Sequence, residues 1–176
     1  FTVGMINLCN AYTGKYMSKE DIGEYACDIE INKLGEPIGK QDQYAAAVGG
    51  INYFEFTQND TVKIEKIIMK RERYKELEEN LLLFYLGDSR SASEILKEQN
   101  TSIVSNQAKI ENTKKMVLLA QDLKRELLNN NIDIFGEILH TGWMYKKELA
   151  SGISNERIDY YYDLGIKNGA LGGKLL

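Results

Sequence analysis

The chain has 176 residues, of which 43% are hydrophobic and 27% charged, with a formal net charge of −4 at pH 7. That length suits one large domain or two small ones with a real core. The acidic balance argues against broad nucleic-acid binding, which favours a basic face, no apolar run reaches the roughly 18 residues that cross a bilayer, and a single histidine excludes a multi-histidine metal centre.

Helical periodicity is already present at Phe1, Met5, Leu8 and Tyr12, which predicts a helix over 1–13 closed by Gly14. Ser18 opens a second helix with Asp21 as its capping-box partner and an apolar stripe of Ile22, Tyr25, Ala26 and Ile29, stopped by Gly35 and Pro37. A loop then leads to Asp42 and a short helix, "QYAAAV", ended by Gly49 and Gly50. "INYFEF" and "TVKIEKIIM" read as two paired strands around an Asn59-Asp60 turn, "RERYKELEEN" as a charged connection, and "LLLFYL" as a buried strand. Ser91 or Ser93 caps a helix over "SEILKEQ". Longer helices follow over about 105–128, 134–150 and 156–167, and "ALGGKLL" turns back into a strand. Strands early and late with helices between make an α+β pattern in two lobes. Cys9 and Cys27 each fall in a helical apolar pattern without a CxxC spacing, and read as buried, reduced thiols of a cytosolic protein. A helix without a cap at one end and a strand just begun at the other lead to the expectation that the chain is an excerpt of a longer one.

The stretch "GEPIGKQDQYAAAVGG" holds the most pointed chemistry. Asp42 has two readings: an N-cap for the short helix that follows, or a carboxylate that accepts a proton from a substrate hydroxyl. Gly39 lets the backbone approach a ligand, and Gln41 and Gln43 add hydrogen-bonding groups without a competing charge. Glu30 lies along the apolar stripe of the second helix, either marking its edge or waiting for a cation; folded back across the loop, it would face the same cleft as Asp42, an arrangement suited to a Mg²⁺-nucleotide. His140, Trp143 and Lys147 share one helix face, which reads as packing or as an indole platform for a sugar ring. Arg90 in "GDSRSAS" either forks onto a phosphate or answers Asp88.

"GEPIGKQDQYAAAVGGINYFEF" resembles the segment of GHMP-type small-molecule kinases (galactokinase, homoserine kinase, mevalonate kinase) that carries their catalytic aspartate. "LLLFYLGDSRSASEIL" and "LHTGWMYKKELASGISNERIDYYYDLGIKNGALGGKLL" extend the resemblance over nearly the whole chain, closest to the D-glycero-D-manno-heptose 7-phosphate 1-kinase branch. The resemblance implies a two-lobed GHMP kinase fold, with the second half of an N-terminal lobe over 1–92 and most of a ferredoxin-like C-terminal lobe over 93–176. It implies ATP and Mg²⁺ as cofactors, a nucleotide and a sugar phosphate as partners, no nucleic acid or membrane, a cytoplasmic location, and a monomer or homodimer. Carried over onto these residues, Asp42 is catalytic, Glu30 binds the metal, and Gly39, Lys40, Gln41 and Gln43 form the surrounding motif. The distal phosphate of a heptose 7-phosphate needs a cation, with Arg90 and Lys146 as candidates, and Trp143 is the stacking candidate. The family's Gly/Ser-rich phosphate loop would precede Phe1, and a second glycine-rich motif would follow Leu176.

Overall fold

A computed structural model describes residues 1–87 and 106–175. The chain divides into two compact units, Phe1–Ile67 and Ile68–Leu176. The lobe division expected between residues 92 and 93 and the helix expected over "SEILKEQ" lie outside the described residues, as does Arg90.

In the first unit α1 (Thr2–Thr13) ends at Gly14, whose φ of 66° lets its N–H turn back to the Asn10 carbonyl. Helix α2 (Lys19–Cys27) opens on the expected capping box: the Asp21 N–H donates to the Ser18 hydroxyl oxygen at 3.0 Å, and the Ser18 N–H donates to the Asp21 carboxylate at 3.3 Å. Ser18→Ala is therefore expected to cost about 1 kcal/mol in urea unfolding, and no loss would mean that water replaces the cap. Without a break, α2 widens into a π-helix over Asp28–Lys33. The wider turn rotates every later residue relative to an α-helical wheel. Ile22 and Ala26 of the expected stripe are buried with Val3 and Ile6 of α1, whereas Tyr25 faces out under the Lys33 ammonium.

Helix α3 (Gln41–Val48) packs on α2 at Gly23, where a Cβ would stand 3.0 Å from the Tyr44 ring, so the two helices meet through a missing side chain. Strands β1 (Asn52–Phe56) and β2 (Val62–Lys66) form an antiparallel hairpin in which Asn52 faces Lys66 and Phe56 faces Val62. Asp60 takes a left-handed φ of 61° in the turn. Phe54 and Phe56, two residues apart and thus on one face, bring their rings to within 6.4 and 6.5 Å of Tyr44. This ties the hairpin to α3. Two expectations are corrected here. Asp42 is not the cap of α3: that position falls to Lys40, which provides no side-chain cap, and Asp42 is the second helical residue. Cys9 is exposed on α1, while Cys27 is buried as expected. Burial, only partly offset by the Lys40 charge, pushes the Cys27 thiol up to about 11.

The second unit begins with α4 (Arg71–Glu79), where a charged connection was expected. Its residues are good helix formers, and Arg73–Glu76 and Lys75–Glu79 pair at helical spacing. Helices α5 (Gln107–Leu128), α6 (Phe135–Lys147) and α7 (Glu156–Lys167) follow close to their expected bounds. Asn106 and Asn155 cap α5 and α7 by accepting the Ala108 and Ile158 N–H groups. The core gathers Trp143, Leu149, Ala150, Ile153 and Ile158. Neither expected strand of this unit forms among the described residues. "LLLFYL" is irregular, with Leu81 to Tyr85 exposed. The segment 170–175 is also irregular. A strand is stable only with a partner to complete its backbone hydrogen bonds, and no described segment pairs with either. Instead Gly172 lies against α6 so closely that a Cβ on it would stand 1.9 Å from the Gly136 carbonyl oxygen. The Gly173 N–H reaches the Tyr162 hydroxyl, which also lies 2.7 Å from His140 Nδ1.

Candidate functional site

The loop before α3 is short of apolar contacts and is held by polar ones. The Lys40 ammonium pairs with Asp60 in the hairpin turn, and the Cys27 thiol donates to the Lys40 carbonyl at 3.8 Å. Gly39 is exposed, and a Cβ there would meet nothing within 4 Å, so that side of the loop is open. Gln41 and Asp42 are also exposed, and Asp42 sits in the first turn of α3, where the free N–H groups favour a negative charge.

Gln43 turns the other way. It is only 6% exposed, and its Nε2 donates to the Glu30 carboxylate. Glu30, carried on the π-helix, is half-buried. Hydrogen bonds from the Thr2 hydroxyl and the Gln43 amide hold its carboxyl below the usual carboxylate range. Both bonds favour the charged form, so the acid is ionised at neutral pH. Glu30 is thereby brought beside the residue that follows Asp42. The Gln43 Oε1 atom is buried and has no hydrogen-bond partner among the described residues. An unmet buried carbonyl costs about 1–3 kcal/mol.

The other described sequence-derived candidates lie in the second unit. Trp143 is 1% exposed at the centre of that unit's core, as its packing reading expects, and its ring has no open face for a sugar. His140 binds the Tyr162 hydroxyl, and Lys147 pairs with Asp159 at 3.2 Å and lies over the Trp143 ring. Lys146 is half-exposed near the end of α6. The sequence reading passed over Thr2 and took Asp60 only as a turn residue. No local signal marks either, because their partners are distant along the chain. Among the described residues no group of three or more His, Cys, Asp or Glu residues is placed to hold a metal ion, and no helix is long and apolar enough to cross a membrane.

No family model matches the chain. Over 172 residues, 98% of the chain, it is 30% identical to the D-glycero-alpha-D-manno-heptose 7-phosphate kinase of Campylobacter jejuni, of which it covers 50%. Over 149 residues it is 25% identical to the bifunctional fucokinase/GDP-fucose pyrophosphorylase of Arabidopsis thaliana, covering 83% of the chain and 14% of that protein. The fold matches the crystal structure of a D-glycero-D-manno-heptose 1-phosphate kinase from Bacteroides thetaiotaomicron with a TM-score of 0.72 and 31% identity, over 98% of this chain and 46% of that one. The chain thus spans about half the length of the heptose kinases it matches. It is similar over nearly its whole length to about half of two kinases of D-glycero-D-manno-heptose phosphates, with a matching α+β fold, in line with the resemblance to the GHMP-type kinases.

Proposed function

We propose that this chain belongs to an ATP- and Mg²⁺-dependent kinase, working in the cytoplasm, that phosphorylates the anomeric hydroxyl of D-glycero-D-manno-heptose 7-phosphate. The observation that carries the reading is the hydrogen bond from Gln43 to Glu30, which ties a second acid to the residue that follows Asp42 at the start of α3. The names of the relatives supply the sugar.

In this reading Asp42 accepts the proton of the anomeric hydroxyl as that oxygen attacks the γ-phosphorus and ADP departs. Its exposure leaves it open to a substrate, and the open side of Gly39 allows a ligand to approach the backbone. Lys40 and Gln41 line the same loop. Glu30 is the residue that would hold Mg²⁺, a hard cation that takes one or two carboxylates and fills its other positions with phosphate oxygens and water. A single ionised carboxylate, with no group of three or more metal-ligating residues placed together among the described residues, fits an ion that arrives with its nucleotide. When bound, such an ion neutralises charge on the transferred phosphoryl group. Catalysis would otherwise be positioning. Arg90, ahead of Lys146, is the candidate for the distal phosphate, because a guanidinium presents a planar fork to it.

A second reading, a fucose 1-kinase, is favoured by the match to the plant fucokinase. A steady-state assay of the whole protein separates the two. kcat/KM for heptose 7-phosphate is expected to exceed that for unphosphorylated heptose, galactose or fucose by about 100-fold, the worth of one strong charge-assisted contact of roughly 3 kcal/mol. Preference for a neutral sugar would remove the heptose phosphate and promote the second reading. Absence of transfer from ATP to any of them would leave a non-catalytic binding protein on the same scaffold.

A further inference from the structure

We infer that Gln43 is a positioning residue, whose buried amide, one residue after Asp42, holds the Glu30 carboxylate in its working orientation. The inference deepens the kinase reading and rests on it for the use to which Glu30 is put.

Three observations converge on Gln43. It is one of the few buried polar side chains among the described residues, in a helix whose other buried side chain, Tyr44, serves packing against Gly23 and the hairpin rings. Its donor end is spent on Glu30. Its acceptor end is unmet among the described residues. A glutamine kept for packing alone would be a poor choice, because an apolar side chain of the same length fills the space without stranding an oxygen. The amide makes sense where its N–H is needed.

The geometry of the backbone explains why that N–H is needed. Glu30 stands on a π-helix, a wide turn that re-aims side chains relative to α2. A glutamate side chain has three free torsions, and only contacts at its carboxylate can fix them. Thr2 and Gln43 supply those contacts from two different helices. Of the two, Gln43 shares a helical turn with Asp42, so the bond sets the position of Glu30 relative to Asp42. Outer-shell partners of this kind typically change metal affinity 10–100-fold when removed.

The test is a double-mutant cycle in the whole protein with Gln43→Met and Glu30→Gln. Gln43→Asn is a second route, since its shorter amide cannot span the same gap. Gln43→Met is expected to keep its Tm at or above wild type, because it removes the stranded oxygen. It should raise the Mg²⁺ concentration for half-maximal activity about tenfold, with a smaller change in the sugar KM. In the Glu30→Gln background the same substitution should add nothing to the magnesium requirement, because Gln43 acts through Glu30. In urea unfolding the two substitutions should be non-additive. Additive unfolding effects would overturn the inference whatever the activity. So would an unchanged magnesium requirement in a folded Gln43→Met or Gln43→Asn protein, or a requirement that rises equally in both backgrounds. If the wild-type protein transfers no phosphoryl group, the kinase reading falls. A non-additive unfolding cycle would then still support Gln43 as the anchor of Glu30, and an additive one would overturn it.

Discussion

Asp42→Asn is expected to lower kcat of the whole protein by about 100-fold or more, the usual contribution of a positioned general base, while changing stability little. Asp42 is exposed, occupies the second position of α3 and does not cap it. The stability it contributes is that of a carboxylate near a helix N-terminus, about 0.3–1 kcal/mol. Asparagine keeps the shape and loses the charge and the basicity, so the two effects separate cleanly. Steady-state kinetics and urea unfolding on the same preparation measure both. A kcat near wild type would leave Asp42 as an ordinary first-turn acid and would move the proton transfer to another group. A large loss of stability would mean that the side chain has a structural role that its exposure hides.

The second large effect concerns the second unit. Gly172→Ala is expected to destabilise the protein by at least the 1–3 kcal/mol typical of an overpacked site. The added carbon would fall 1.9 Å from the Gly136 carbonyl oxygen and 2.8 Å from the His140 backbone nitrogen. Those neighbours are backbone atoms of α6, which cannot rotate away as the end of a side chain can. Gly136→Ala should behave alike, since its Cβ would meet the Leu171 Cβ at 2.4 Å. Gly4→Ala is the control: the site is inside α1 with nothing within 4 Å, so alanine should stabilise by roughly 1 kcal/mol through helix propensity. Thermal unfolding of the three variants gives the comparison. A Gly172→Ala protein as stable as wild type would mean that the segment 170–175 does not lie on α6.

The features legible in the sequence are those whose physics closes within a few residues. The capping box of Ser18 and Asp21, the left-handed Gly14 after α1, the hairpin turn at Asn59-Asp60 and the long helices α5 to α7 all satisfy their hydrogen bonds locally. A reader of the sequence needs only spacing and residue type to find them. The site was legible in part. Glu30 stood out as a charge on an apolar stripe and Asp42 as an acid in a glycine-bounded loop, and the resemblance to the GHMP-type kinases rests on that same stretch.

What the tertiary structure decided is everything that depends on a distant partner. "LLLFYL" has the composition of a buried strand, but composition supplies no neighbour, and the described segment is exposed and unpaired. Cys9 sits in an apolar pattern that no other described element covers. Gln41 and Gln43 flank Asp42 symmetrically in sequence, yet successive helical residues point about 100° apart, so Gln41 is exposed while Gln43 is buried against Glu30. The widening of α2 into a π-helix over Asp28–Lys33 carries Glu30, which is half-buried and bonded to Gln43, an arrangement no α-helical wheel anticipates. Residue type alone made Glu30 and Asp42 candidates; only the packing of α3 against α2 determined that the residue after one is bonded to the other.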